Sequence, residues 1–340
     1  MRRVPRAKQS VLFVLSVDTE EEFEWGQEFP QQNCSVENIY QIPKFQDFCE
    51  NLGVRPTYLV DYPVASNLES SGILKRIAQI GRAEIGAHLH PWCTPPFEGP
   101  NTERESHVVN LPSGLVEKKL DNLMATIEGN IGVIPTVFRT GRWGIDSKVL
   151  SIILDKGFLV DSSVYPFYAN DYFSCLEAVE VPYWPDLNDP NCAGTQRNIY
   201  ELPVTAGFNR PGFQKWGRIH QGLASPVFKM LHPIGVAWRT GFLKKIYLSP
   251  ELSDTRSMLQ LVQAAILSGH PVIHMFLHSS SLLPGKNQYA LNEDDTDNLY
   301  SRIRKVIEGL QSMVDVRFCT ITEAVELLQD GYGGYVPPQT

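Results

Sequence analysis

The feature that most constrains this chain is a repeated switch between short apolar runs and longer segments of helical periodicity. The runs "VLFVLSV" (11–17), "VRPTYLV" (54–60), "AEIGAHL" (83–89) and "PTVFR" (135–139) read as strands. So do "FLVDSSV" (158–164), "NIYELPV" (198–204), "PVIHMFLH" (271–278) and "DVRFCTI" (315–321). Helical patterns fill most of the gaps, at 35–53, 66–81, 115–132, 146–157, 257–269, 294–313 and 322–331. Ser35 and Asp146 stand where N-caps are expected, and Gly53 and Gly81 where helices stop. Strands alternating with helices imply parallel strands joined by crossovers. Seven or eight such units favour a barrel over an open sheet.

A length of 340 residues allows two domains, but α/β barrels of this size often form one. The pattern predicts a single domain over 1–340. It breaks at 206–247, a stretch rich in Gly, Pro, Trp and Arg that reads as an insertion or lid. Hydrophobic residues make up 43% and charged residues 20%, enough apolar content for a sizeable core. The net charge of -8 argues against nucleic acid or an anionic membrane surface as partner. No apolar run reaches the roughly 18 residues of a membrane span. The basic start runs into an apolar stretch closed by Asp18, with no small-residue cleavage site, which predicts a cytoplasmic protein. The six cysteines are scattered without a CxxC pair, so neither a disulfide framework nor a zinc ribbon is expected.

In parallel α/β folds, reactive groups gather at the carboxyl ends of the strands. Here those ends carry Asp18 and Glu20, then His88 and His90, then Arg139, Arg142 and Trp143, then Asp161, then His278. Asp18 and Glu20 are two apart, as are His88 and His90, so each pair shares a face of extended chain. Two imidazoles and one carboxylate make three protein ligands with a position left for water, the catalytic arrangement for zinc. The second carboxylate then serves as general base and a histidine as general acid. Trp92, Trp143, Tyr165 and Arg142 sit beside this polar rim and are candidates to contact a sugar.

These motifs resemble the polysaccharide deacetylase family, also called the NodB-homology or carbohydrate esterase 4 group. "VLSVDTE" (14–20) is similar to its first motif and "LGVRPTYLVD" (52–61) to its second strand. "EIGAHLHPW" (84–92), "FRTGRWG" (138–144) and "FLHSSSLLPG" (276–285) are similar to its later motifs. The "EEFEW" (21–25) and "HLHPWCTPP" forms look like an uncommon branch linked to surface polysaccharides. The resemblance implies a distorted (β/α)7 barrel and metal-dependent N-deacetylation of an acetamido sugar. It implies Asp18 as base, Arg139 as its partner, His278 as acid, and Glu20 and His88 as ligands. The family's second histidine lies four residues after the first; here that position is Trp92, so His90 would take the ligand role.

The expected function is therefore amide hydrolysis on a carbohydrate, with a divalent metal, most simply zinc. The alternatives are a metal-independent or other amidohydrolase acting on a small amide, and an inactive glycan-binding barrel. The missing secretion signal points to an intracellular glycan intermediate as substrate.

Overall fold

A computed structural model describes residues 9–23, 29–32, 34–224 and 233–338. The basic leader 1–8, Glu24 and Trp25 of the acidic-aromatic stretch, and 225–232 of the expected insertion lie outside the described residues. In chain order the elements are β1 (Ser10–Thr19), α1 (Ile42–Asn51), β2 (Thr57–Val60), α2 (Tyr62–Ser66), α3 (Leu68–Gln79), β3 (Glu84–Leu89) and α4 (Ser113–Ile131). There follow β4 (Val137–Thr140), α5 (Ser147–Asp155), β5 (Val160–Asp161), β6 (Tyr200–Glu201), β7 (Ala206–Phe208), α6 (Phe213–Ala224) and α7 (Pro233–Arg239). The chain ends with β8 (Lys245–Tyr247), α8 (Thr255–Leu267), β9 (Val272–His278), α9 (Glu293–Met313), β10 (Asp315–Phe318) and α10 (Ile321–Gln329).

Seven parallel strands lie in the order β9-β1-β2-β3-β4-β5-β6. The short β10 pairs with the first half of β1, on the edge that β2 takes over further along. The gap between β6 and β9 is bridged beyond β6. Thr205 N–H donates to His274 O at 2.9 Å, and His274 N–H donates to Thr205 Oγ1 at 2.8 Å. This is the expected distorted (β/α)7 barrel. β7 and β8 pair antiparallel, so residues 206–247 leave the barrel and return to it through one two-stranded ribbon.

Strand alternation explains where the polar groups end up. Odd residues of β1, such as Val11, Phe13 and Leu15, join the large core shared with the surrounding helices. Leu12 and Val14 join a second cluster with Leu59, Val137, Val160 and Val272, capped by Ile321, Ala324 and Leu328 of α10. Further along the same faces come Ser16 and Asp18, His88, Arg139, and His274 and His278. The inward faces are thus apolar at one end of the barrel and polar at the carboxyl end. Gly86 holds the narrow point. A Cβ there would lie 2.6 Å from Leu59 Cδ2 and 2.9 Å from Val137 O.

Local punctuation follows the sequence with two differences. Asp146 caps α5 by accepting from Val149 N–H, and Gly53 takes a positive φ of 77° after α1. Ser35 is not a cap. A 3-10 turn at Glu37–Gln41 precedes α1, and the helix proper starts at Ile42 with Pro43 in its first turn, where the missing N–H is tolerated. The extra helix α2 is capped by Asp61 and was hidden behind Pro63. Among the described residues no helix is long and apolar enough to cross a membrane.

Candidate active site

The register of the sheet builds the site. Asp18 is the Cα partner of His278 across β1 and β9, and His88 is the partner of Arg139 across β3 and β4. Arg139, fully buried, donates from Nη1 to Asp18 Oδ1 at 2.5 Å. Its other nitrogens are taken by Ser162, with Nε to the backbone oxygen and Nη2 to Oγ, both at 2.9 Å. The guanidinium also lies over the Trp143 ring, 4.7 Å from its centroid. Arg139 therefore has one available geometry, and Asp18 is oriented by it. His278 Nε2 stands 3.9 Å from the other oxygen, Asp18 Oδ2.

Beside Asp18, Glu20 Oε2 lies 3.5 Å from His88 Nε2 and 3.3 Å from His90 Nε2. Ligand atoms around a tetrahedral zinc with bonds of about 2.0–2.1 Å stand about 3.3 Å apart. The donor set of two imidazoles and a carboxylate fits such an ion in both spacing and chemistry. Burial disfavours the Glu20 anion, yet His278, His88 and His90 outweigh it and hold the carboxyl well below the usual range.

His90 has the firmer support of the two histidines. Glu21 Oε2 accepts from its Nδ1 at 2.9 Å, which leaves Nε2 turned toward Glu20. Glu21 Oε1 accepts from Trp92 Nε1–H at 2.7 Å, and the indole stacks on the His90 ring at 4.2 Å. By contrast, His88 Nδ1 is buried without a hydrogen-bond partner. Glu21, Asp61, His90 and Cys93 form a second group with metal-ligand spacing. Its carboxylates are already engaged. Asp61 accepts from Glu21 N–H and caps α2. Burial and the neighbouring Glu21 raise the Asp61 carboxyl well above its ordinary value. Burial also works against the Glu21 anion, but His90 and Asp61 bring Glu21 down to about 2. This pair orients His90 rather than offering a second site.

The loop after His90 is tied down from α4. Lys119, almost fully buried, donates to the carbonyls of Pro91, Thr94 and Pro96. From the other side Gly141 N–H reaches Leu89 O at 2.9 Å, and a Cβ at Gly141 would run into the His90 ring. Past β4 the chain turns through Arg142, Trp143 and Gly144, all with positive φ (64°, 62° and 78°). Two consecutive non-glycine residues in this region store strain of about 1–3 kcal/mol each. Gly144 N–H to Ser163 O and Thr140 Oγ1–H to Gly144 O hold the turn. The result places Trp143 over Arg139 and against Tyr165, with ring centroids 4.5 Å apart.

These groups open into a cavity of about 520 Å3, lined at its base by Asp18, Glu20, His88, His90 and His278. Trp143, Tyr165, Tyr168, Tyr247, Phe276 and Tyr289 form much of its aromatic wall. Arg142 lines it too, bonded to Ser106 Oγ at 2.6 Å and paired with Glu103 at 2.7 Å. Of the expected sugar contacts, Trp143, Tyr165 and Arg142 are on the wall. Trp92 is not: it is buried behind His90, where it supports Glu21. Asp161 is also away from the cavity, in a buried carboxyl pair with Glu201.

Sequence reasoning missed Glu21, Glu251 and His107. Glu251 accepts from His278 N–H at 3.0 Å and bonds His278 Nδ1 at 2.9 Å. It sits just beyond the irregular 206–247 stretch, with no local signal. His107 lines the cavity beside Arg142; burial and that guanidinium push its imidazole down to about 4. Glu21 had a signal in "DTEEE", three consecutive acids after a buried strand.

No family model matches the sequence, and no curated protein sequence matches it. Solved structures do match. A Mycobacterium smegmatis protein assigned to the polysaccharide deacetylases is 15% identical, with a TM-score of 0.56, covering 99% of this chain and 95% of that one. That likeness establishes a common fold, the polysaccharide deacetylase barrel. More distant are a Clostridium thermocellum family 4 acetyl xylan esterase with a cobalt ion (14% identity, TM-score 0.40, 93% and 91% covered) and a Bacillus subtilis peptidoglycan deacetylase (12%, 0.39, 96% and 94%). The fold carries over from the first of these alone.

The Glu21 contacts generate a test. Glu21→Gln removes the anion that fixes His90, and zinc affinity should fall on the order of 10- to 100-fold. Chelator competition reads this directly; affinity within twofold of the unaltered chain would refute the orienting role.

Proposed function

We propose that this protein is a metal-dependent amide hydrolase that removes the acetyl group from an acetamido sugar of a surface-polysaccharide or related glycan. The observation that carries the reading is the placement of Asp18 and His278 beside the Glu20–His88–His90 triad, at the base of an aromatic cavity. The cavity volume falls within the ~300–1,000 Å3 range of small-molecule sites. Aromatic faces suit the apolar faces of sugar rings. The name of the Mycobacterium smegmatis protein that shares the fold agrees with the reading.

Glu20, His88 and His90 would hold the ion, and its donor chemistry favours zinc. When bound, such an ion supplies Lewis acidity toward the acyl oxygen and a water with a pKa near about 7. Asp18 takes the proton of the attacking water on Oδ2, since Oδ1 is committed to Arg139. The water oxygen adds to the acyl carbon, the carbon–nitrogen bond breaks, and acetate and the free amine leave. His278 delivers the proton to the departing nitrogen from Nε2, while Glu251 holds Nδ1. Burial disfavours the His278 imidazolium, but Glu251, Glu20 and Asp18 outweigh it and raise its pKa well above the ordinary value. His278 is thus kept in the protonated form that a general acid needs.

Two variants test these roles. Asp18→Asn should lower the deacetylation rate by ~100- to 10,000-fold on a panel of N-acetylated sugars. Turnover close to that of the unaltered chain would remove Asp18 as base. Glu251→Gln withdraws an anion from His278, so the imidazolium loses its proton at lower pH. The alkaline limb of the kcat/KM profile should then move to lower pH, and an unmoved limb would contradict the assignment of His278.

A further inference from the structure

The net charge of -8 hides a strong segregation. Residues 206–247 hold seven Lys or Arg and no Asp or Glu. With 30 basic and 38 acidic residues in all, the rest of the chain has 23 basic residues and a balance of 23 − 38 = −15. The basic stretch is the excursion that leaves through β7 and returns through β8.

Its described residues combine cations with exposed and half-buried apolar side chains. On α6, the exposed Ile219 and the half-buried Trp216 and Leu223 fall on one face at helical spacing, edged by the exposed Lys215 and Arg218. Phe213 and Gly217 are the face that α6 buries. Trp238 of α7 is 44% exposed and Phe242 is 49% exposed. Phe242, three residues beyond the end of α7, packs edge-on against Trp216 of α6, centroids 6.0 Å apart, so α6 and the chain just after α7 present one patch. Arg210 lies over both of those rings, at 5.4 and 5.0 Å, and Lys244 lies 5.2 Å from the Trp238 ring. Asp254 acts on Lys244 from α8's N-cap, and Glu180 bonds Gln214 at the buried side of α6. Neither acid interrupts the exposed face.

We infer that the α6–α7 patch docks this protein on an anionic lipid bilayer surface. A helix with aromatic and aliphatic residues on one side and Lys and Arg beside them is what lies in the headgroup region of a bilayer. The charge is complementary to anionic headgroups, and the rest of the molecule, being acidic, is repelled from them and so fixes the orientation. Nucleic acid is the weaker occupant, because it gives no partner to Ile219 and Phe242. The patch adjoins the cavity at Trp238 and Lys245, both of which line it. On the deacetylase reading, docking brings the cavity mouth to the membrane surface, where the substrate is the glycan head of a lipid-anchored molecule.

Co-sedimentation of the full chain with vesicles tests the docking apart from the chemistry. The chain should partition onto phosphatidylcholine vesicles containing phosphatidylglycerol and not onto phosphatidylcholine alone. Binding should weaken as salt rises. The double variant Lys215→Glu, Arg218→Glu alters exposed residues outside the cavity and should lower partitioning on the order of 10-fold or more. Its hydrolysis of a soluble N-acetylated sugar should be unchanged, so loss of docking and loss of activity are read separately. The inference is overturned if the unaltered chain ignores anionic vesicles at low salt, if the double variant binds them equally well, or if duplex DNA displaces the vesicles.

Discussion

Three carboxylates within four positions, Asp18, Glu20 and Glu21, are buried at the end of one strand, and the site depends on how their charges are met. Each is at most 5% exposed. An unpaired ion in that setting costs several kcal/mol, so each must have a dedicated partner. Asp18 has Arg139. Glu21 has His90, Trp92 and the neighbouring Asp61, whose carboxyl is raised well above its ordinary value by burial and by Glu21. Glu20 has two imidazoles, and a bound divalent ion would complete its balance. The partners come from β3 and the loop after it, from β4 and from the loop after β2, so the burial of three acids at the end of β1 fixes how those neighbours must sit.

The same arrangement gives the residue four positions after His88 a structural part. With Trp92 four residues after His88, no second imidazole is available there. The indole instead donates to Glu21, which grips His90 from behind, while Gly141 leaves room for the ring. Lys119 then pins the loop through three carbonyls. Glu21 and Trp92 together thus hold the His90 ring in place.

Much of this was legible in the sequence, for a physical reason. Alternation along a strand is a local property, so apolar runs ending in Asp18, His88, Arg139 and His278 already put those side chains on one face and one rim. The barrel followed from the strand-helix rhythm. What was not legible depends on contacts across the chain. Glu251 reaches His278 from the loop after β8, Asp61 serves both α2 and Glu21, and Trp92 turned inward to Glu21 rather than outward to substrate. Ser35 looked like a cap, but Pro43 set the true start of α1.

The proposed chemistry requires Glu20, His88 and His90 to share one ion. Anomalous X-ray diffraction at the zinc edge, on crystals of the full chain grown with zinc, tests this most directly. The prediction is a single peak within bonding reach of Glu20 Oε2, His88 Nε2 and His90 Nε2. A peak among Glu21, Asp61 and Cys93 instead, or full deacetylation by protein with no peak at either place, would contradict it.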